Sequence, residues 1–294
     1  MENRNSNIEL MRIFAIFFIT LYHNRRWGGY SFENNNGINE LVLDAIANFG
    51  KIGVNIFAIT TAFFGADSFK LNVRKILNVE MKTLFVSWTL GIGVAGYVVI
   101  NSLDVGEYLT NIKSIVFPII FEEYWYVTAY IILMLLAPYL NGMLYKLEIC
   151  QFRKFLVTVF IIWSVIPMVT LRIWQNPYGI DNYVNFLVIY AFGVYLRRIY
   201  EEGMNEGCKE RVCIVGYLAI GIQLIYPILV HLLFPTSERL VTFLRYGNSV
   251  NSVFLTIFIF EKFRSHFFYN KYINKIAGNV FCIYLIQEHI WFRK

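Results

Sequence analysis

The chain has 294 residues, of which 57% are hydrophobic and only 16% charged, with a formal net charge of +6. No basic run exceeds two residues and the Lys and Arg fall between apolar blocks, which argues against nucleic-acid binding and for a membrane protein whose cations mark topology. The four cysteines, Cys150, Cys208, Cys213 and Cys282, form no C-x-x-C pair and imply neither a metal site nor a disulfide framework.

Apolar segments follow one another near 8–24, 50–66, 83–101, 124–141, 154–171, 182–196, 212–233, 247–261 and 276–292. A helical span needs about 20 apolar residues, so these predict an all-α, polytopic integral membrane protein with nine to ten transmembrane helices. Nine crossings from a cytoplasmic N-terminus place the loops 67–82, 142–154, 197–211 and 262–275 inside. That arrangement puts 17 of the 26 Lys and Arg on the inner side, against 8 outside (Arg25, Arg26, Lys113, Arg172, Arg239, Arg245, Arg293 and Lys294) and Lys51 within a helix. This bias sets the predicted orientation. The first block is followed by His23-Asn-Arg-Arg-Trp27 rather than a small-x-small cleavage site, so it is expected to stay as a membrane helix. With no repeat, low-complexity tract or linker, residues 1–294 read as a single transmembrane domain.

The first span carries the most informative spacing. From Arg12 to His23 is eleven residues, about 1100° of helical turn and about 16 Å of rise, so both side chains lie on one face, near opposite ends of the span. Taken alone, this spacing fits a snorkelling cation and an interfacial cap. It also fits an anion held at Arg12 while a flexible apolar arm reaches His23 as a general base, since guanidinium suits phosphate and neutral imidazole suits removal of a hydroxyl proton. The pantetheine arm of coenzyme A has about that reach on the extended-chain scale of about 3.5 Å per unit.

Asp44, Asn48, Lys51 and Asn55 make a polar stripe on one helical face that enters the second span from outside and would line an acceptor groove beside His23 or mark an amphipathic helix at the outer interface. Farther on, Gly91-Ile-Gly93-Val-Ala-Gly96 satisfies G-x-G-x-x-G. It lies inside an apolar span, however, and is expected to serve close helix packing through Gly91 and Ala95. Glu122 and Glu123 before Trp125 are read as an exposed acidic edge, or as groups that orient a sugar or His23. His231 and His289 near outer helix ends and His266 in an inner loop are expected to be interfacial. No P-loop, H-E-x-x-H or G-x-S-x-G is present, which removes phosphate-splitting pumps and ordinary serine hydrolases.

Taken in order, these stretches resemble the membrane-bound acyltransferase-3 family, the O-acyltransferases of bacterial cell-surface polysaccharides. Arg12-x10-His23 looks like its first-span signature, and Gly53-Val-Asn-Ile-Phe57-Ala-Ile-Thr-Thr61-Ala-Phe-Phe64 its second-span motif, followed by the inner basic Arg74-Lys75-Ile76. Tyr124-Trp125-Tyr126 ahead of Ala137-Pro138 is similar to its fourth span, and Ile283-Tyr-Leu-Ile286 to its late Y-L-I-H. The likeness covers nearly the whole chain. Three positions depart from the pattern: Thr61-Ala62 stands for Ser-Gly, Gln287 for the late His with an imidazole at His289, and Leu77-Asn78 for a second inner Arg.

The resemblance implies transfer of an acetyl group from acetyl-CoA, a co-substrate rather than a bound cofactor, to a sugar hydroxyl of an envelope or capsular polysaccharide or a lipid-linked glycan, in the bacterial plasma membrane. His23 would be the catalytic base and Arg12, Arg74 and Lys75 the donor contacts, with Asn55, Glu123 and Trp125 toward the acceptor and no metal. Family members commonly have ten spans, which leaves either a further helix or a different count. The rival reading is a multi-span transporter or glycan flippase. It should show related halves with interrupted spans in matching positions, and the sequence shows no such symmetry.

Overall fold

The computed structural model describes residues 4–28, 38–102, 105–170, 180–203, 206–234, 240 and 243–292, and all regular structure among them is helical. In chain order the helices are α1 (Ser6–Trp27), α2 (Ile38–Ala47), α3 (Gly50–Gly65), α4 (Val73–Ile100), α5 (Val105–Val116), α6 (Trp125–Tyr145), α7 (Ile149–Phe160), α8 (Ile166–Val169), α9 (Ile180–Glu201), α10 (Glu206–Leu233), α11 (Val250–Arg264), α12 (Lys271–Ala277) and α13 (Val280–Gln287). A π-helical turn, Ile161–Val165, joins α7 to α8, and a 3₁₀ turn, Phe243–Arg245, precedes α11. Side-chain caps begin several helices where the sequence supplies Asn or Ser: Asn5 on Asn7, Asn72 on Lys75, Ser249 on Ser252 and Asn270 on Tyr272 and Ile273.

Five stretches among the described residues are long and apolar enough to cross a bilayer: Leu41–Gly65, Val73–Ile100, Trp125–Tyr145, Ile149–Val169 and Cys213–Leu233. Several predicted boundaries move. The inner loop expected at 67–82 is helical from Val73, so Arg74, Lys75 and Lys82 ride on α4. The reason is that the Asn72 cap starts the helix before the apolar run begins. The segment expected at 276–292 is not one helix: α12 stops at Ala277, Gly278 and Asn279 intervene, and α13 ends at Gln287. Helix α5 stands where only a connecting segment was expected, and the helical face expected to run from Asp44 to Asn55 is divided between α2 and α3 by a turn at Asn48 and Phe49.

The chain divides into two compact units, Met1–Asp67 with Asn141–Gly278, and Ser68–Leu140 with Asn279–Lys294. In the first, α3 is central and packs against α1, α9 and α11, while α10 packs on α2 and α11. Close approach needs small residues. A Cβ on Gly53 would lie 2.6 Å from the Ala15 carbonyl oxygen, and one on Gly193 would meet the Ala62 Cβ. One end of this unit gathers the start of α1 with the ends of α3, α9 and α11. Ser6 N–H donates to the Phe268 carbonyl at 2.9 Å, and the Asn7 amide donates to the Phe263 carbonyl at 2.6 Å. We call it the Ser6 end, and the opposite one the Trp27 end.

In the second unit α5 folds back along α4. Ser87 Oγ donates to the Ile115 carbonyl at 2.9 Å and Tyr108 Oη to the Gly91 carbonyl at 3.2 Å. Gly91 faces Ile115, so the expected close packing occurs there, whereas Gly93 and Gly96 face open space. Both units put apolar side chains outward, among them Phe85, Ile92 and Ile100 in the second and Phe17, Leu218 and Ile225 in the first. Polar side chains such as Asp44, Asn48, Asn55, Gln223 and Asn251 are buried. Apolar outside and polar inside is the arrangement a hydrocarbon solvent selects.

Candidate active site

His23 and Arg12 stand on one unbroken helix, so the shared face expected from their spacing is kept. His23 is half-buried near the C-terminus of α1; its ring lies 4.6 Å from that of Trp27, one turn on, and 5.6 Å from Tyr22. An aromatic wall on one side with partial exposure on the other suits a base that must meet a substrate. Arg12, toward the Ser6 end, donates Nη1 to Glu9 Oε2 at 2.7 Å, and its guanidinium lies 5.9 Å from the Phe57 ring centroid. Glu9 is buried and also within 3.6 Å of Arg4. The sequence reading passed over Glu9, although its i, i+3 spacing from Arg12 was the available signal. The remaining donors of Arg12 make no hydrogen bond among the described residues, so one edge of the guanidinium can take an anion.

The Trp27 end of the first unit holds a buried polar network. Arg25 grips Asp44 through Nε at 2.7 Å and Nη2 at 3.3 Å, and Arg245 reaches the same carboxylate at 3.0 Å and Asn48 Oδ1 at 2.8 Å. Gln223 donates to the Asn48 carbonyl at 2.9 Å and accepts from Asn251 at 2.6 Å. The polar stripe of the second span therefore turns into the bundle, with Asp44, Asn48 and Asn55 all buried. Asn55 donates to the Gly247 carbonyl at 2.8 Å and accepts from Asn185 Nδ2 at 2.8 Å, so its amide ties α3 to α9 and to the chain before α11. Gly247 is the residue type this contact permits, because a Cβ there would sit 3.0 Å from Asn185 Nδ2.

In the sequence Arg25 and Arg245 stand out only as topology charges, and Asn185 and Gln223 belong to no motif. A polar side chain inside an apolar span was the signal for the last two. The partners of the arginines lie 19 and 201 residues away and carried no local signature.

Arg74, Lys75, Glu123 and Trp125 belong to the second unit. Arg74 is exposed on the first turn of α4, and Lys75 Nζ lies 6.0 Å from the Tyr130 ring centroid. Tyr130 stacks with Tyr126 at 6.4 Å, and Tyr284 packs 5.3 Å from Tyr126 and 6.4 Å from Tyr124. Trp125 is half-buried beside Tyr126. The acidic edge expected at 122–123 splits: Glu122 is exposed with a positive φ of 53°, and Glu123 is 4% exposed. His231 and His289, expected at the interface, are buried, His231 on α10 and His289 in the turn that follows α13; His266 is exposed. Among the described residues no group of three or more His, Cys, Asp or Glu side chains converges as a metal would require.

The geometry thus joins a half-exposed imidazole and a guanidinium on one helix, in a chain that keeps its polar groups inside an apolar exterior. Neither the curated proteins nor the solved structures contain a match to the chain. The profile of the acyltransferase domain of the acyltransferase-3 family matches residues 5–292, which takes in both units and α1 with its Arg12 and His23. The chain belongs to the acyltransferase-3 family.

Proposed function

We propose that this membrane acyltransferase moves an acetyl group from acetyl-CoA to a sugar hydroxyl of a bacterial envelope polysaccharide or its lipid-linked precursor. The observation that carries the reading is α1 itself, which presents His23, backed by Trp27 and half open, three turns along the same face from Arg12. His23 takes the acceptor's hydroxyl proton, the oxygen attacks the thioester carbonyl, the carbon–sulfur bond breaks, and the CoA thiolate leaves to be protonated. Arg12 offers its free edge to a donor phosphate while Glu9 fixes the other edge. Arg74 and Lys75 of the second unit are assigned to the donor, and Glu123 and Trp125 to the acceptor, each to be tested by substitution. Asn55 supports the acceptor side by holding Gly247 and Asn185 in place.

In this reading all 294 residues serve one catalytic domain that crosses the plasma membrane nine or ten times, with the Ser6 end cytoplasmic, as the charge bias requires. A reporter fused after Lys209 should behave as cytoplasmic, and an external signal would reverse the orientation. The catalytic test uses isolated membranes given labelled acetyl-CoA and the host's envelope polysaccharides. Label should enter the glycan with the wild-type chain and fail to enter when the chain is absent. Equal incorporation in both would refute the reading.

A further inference from the structure

Three cations from three different elements turn toward one buried ring beside His23. Tyr22 is 9% exposed. Arg26 Nη1 donates to its hydroxyl at 3.1 Å, Lys51 Nζ lies 5.8 Å from its ring centroid, and Arg245 Cζ lies 6.0 Å from it. The His23 ring is the next one along, 5.6 Å from Tyr22. Arg26 donates to the Tyr22 hydroxyl, and Arg245 shares the Asp44 carboxylate with Arg25, so cations outnumber carboxylates among the described residues at this end of the unit.

Hydrogen-bonding capacity remains at the same end. Asn48 Nδ2 and Asn185 Oδ1 are buried and have no hydrogen-bond partner among the described residues. Buried polar atoms of that kind are usually matched by a ligand or an ordered water. Tyr22 is flanked by α3 through Gly50 and Lys51 and by the Phe243–Arg245 turn, and Lys51 is in turn held to α9 by Asn182 Oδ1 at 3.4 Å. The cluster therefore runs from the exposed Arg26 inward to Lys51 and Arg245, with the half-buried His23 ring beside it.

We propose that Arg26, Lys51 and Arg245 form an oxyanion site for the acceptor, so that the glycan acetylated here carries a carboxylate or phosphate close to the hydroxyl presented to His23. This rests on the acyl-transfer reading above and adds the chemical class of the acceptor. An acidic group docked at Tyr22 would set the sugar's register against the imidazole, which a neutral glycan could not do by charge.

The test compares a glucuronate-bearing oligosaccharide, its carboxyl-reduced neutral form and a glycosyl-phosphate oligomer, both as acetyl acceptors and as ligands in calorimetry on the purified full chain in neutral detergent. Wild type should favour one or both acidic forms over the neutral one by at least about tenfold in kcat/KM and in affinity, and the stronger of the two names the anion. Lys51→Met and Arg26→Gln should each cut that ratio several-fold, whereas Lys113→Gln, on the exposed face of α5, should not. The KM for acetyl-CoA should stay within about twofold in Lys51→Met; a large rise would hand the cluster to the donor phosphates and overturn the proposal.

Equal use and equal binding of acidic and neutral forms by wild type overturns it too, while leaving acyl transfer standing. So does competition by phosphatidylglycerol with no glycan preference, which would make the cluster a lipid headgroup site. Charge-selective binding that Lys51→Met abolishes, without any acetylation, supports the anion site and counts against the acyl-transfer reading.

Discussion

The two ends of the first unit handle charge in opposite ways. At the Ser6 end most cations are paired within a turn of helix, Arg12 with Glu9, Arg264 with Glu261 at 2.6 Å and Arg197 with Glu201 at 2.7 Å, and one longer-range pair joins Arg197 to the exposed Asp67 at 3.3 Å. The same guanidiniums lie over rings, Arg264 4.2 Å from the Tyr200 centroid and 5.4 Å from Phe63, with Arg197 5.5 Å from Phe63 on its own account. At the Trp27 end the pairs span the chain, and two arginines hold one aspartate in the interior. Local i, i+3 and i, i+4 pairs at a partly exposed end contribute a few tenths of a kcal/mol each and trim the field. The long-range pairs fix three separate segments to one another and leave the end electropositive. The first end is built for closure and the second for holding something.

The largest expected effect breaks the Trp27 end at its chemistry. His23→Asn keeps the shape of the ring's first atoms without a basic nitrogen, and acetyl transfer should fall by about 10² to 10⁴ with normal abundance in the membrane. The same change at His266 or His289 should cost far less. If His289→Asn is the variant that loses activity, the base lies on the segment after α13 and the assignment to α1 is wrong.

Next comes the scaffold of that end. Asp44→Asn removes the carboxylate shared by Arg25 and Arg245, whose side chains are 7% and 15% exposed, and leaves their charge uncompensated in the interior. The cost should be about 3–5 kcal/mol, read as a lowered thermal midpoint in detergent. A midpoint unchanged from wild type would mean that the carboxylate is not the keystone of this end.

A smaller change is expected at Arg12. Arg12→Ala should raise the KM for acetyl-CoA by about tenfold, and Arg12→Lys should recover only part of it, because an ammonium cannot grip Glu9 and a phosphate with two edges. Unchanged donor kinetics in Arg12→Ala would make the residue an anchor for α1 and bring the Ser6 end wholly under closure. Smallest of all, Glu261→Gln should shift the thermal midpoint by the equivalent of less than about 1 kcal/mol, since its pair with Arg264 is local and the cation keeps its contact with Tyr200. A loss as large as that of Asp44→Asn would erase the contrast between the ends.

The features legible in the sequence were those that depend on neighbours within a turn or two. Composition alone required a membrane protein, because no other solvent tolerates so apolar an exterior, and helical spacing alone put Arg12 and His23 on one face. The order of short motifs pointed to the family that the profile match then showed.

Tertiary structure decided the rest. That Asn72 would start α4 ahead of its apolar run, that the last apolar segment would break at Gly278-Asn279, and that α5 would fold back on α4 through Ser87 and Gly91 depended on caps and packing rather than on hydropathy. That Asp44 would gather Arg25 and Arg245, and Asn55 would join Asn185 to Gly247, depended on contacts between residues 19 to 201 positions apart. A hydropathy window records how much each residue avoids water, and a helical wheel records which face it takes. Neither records which other face it will meet, and a buried polar group is satisfied only by that meeting.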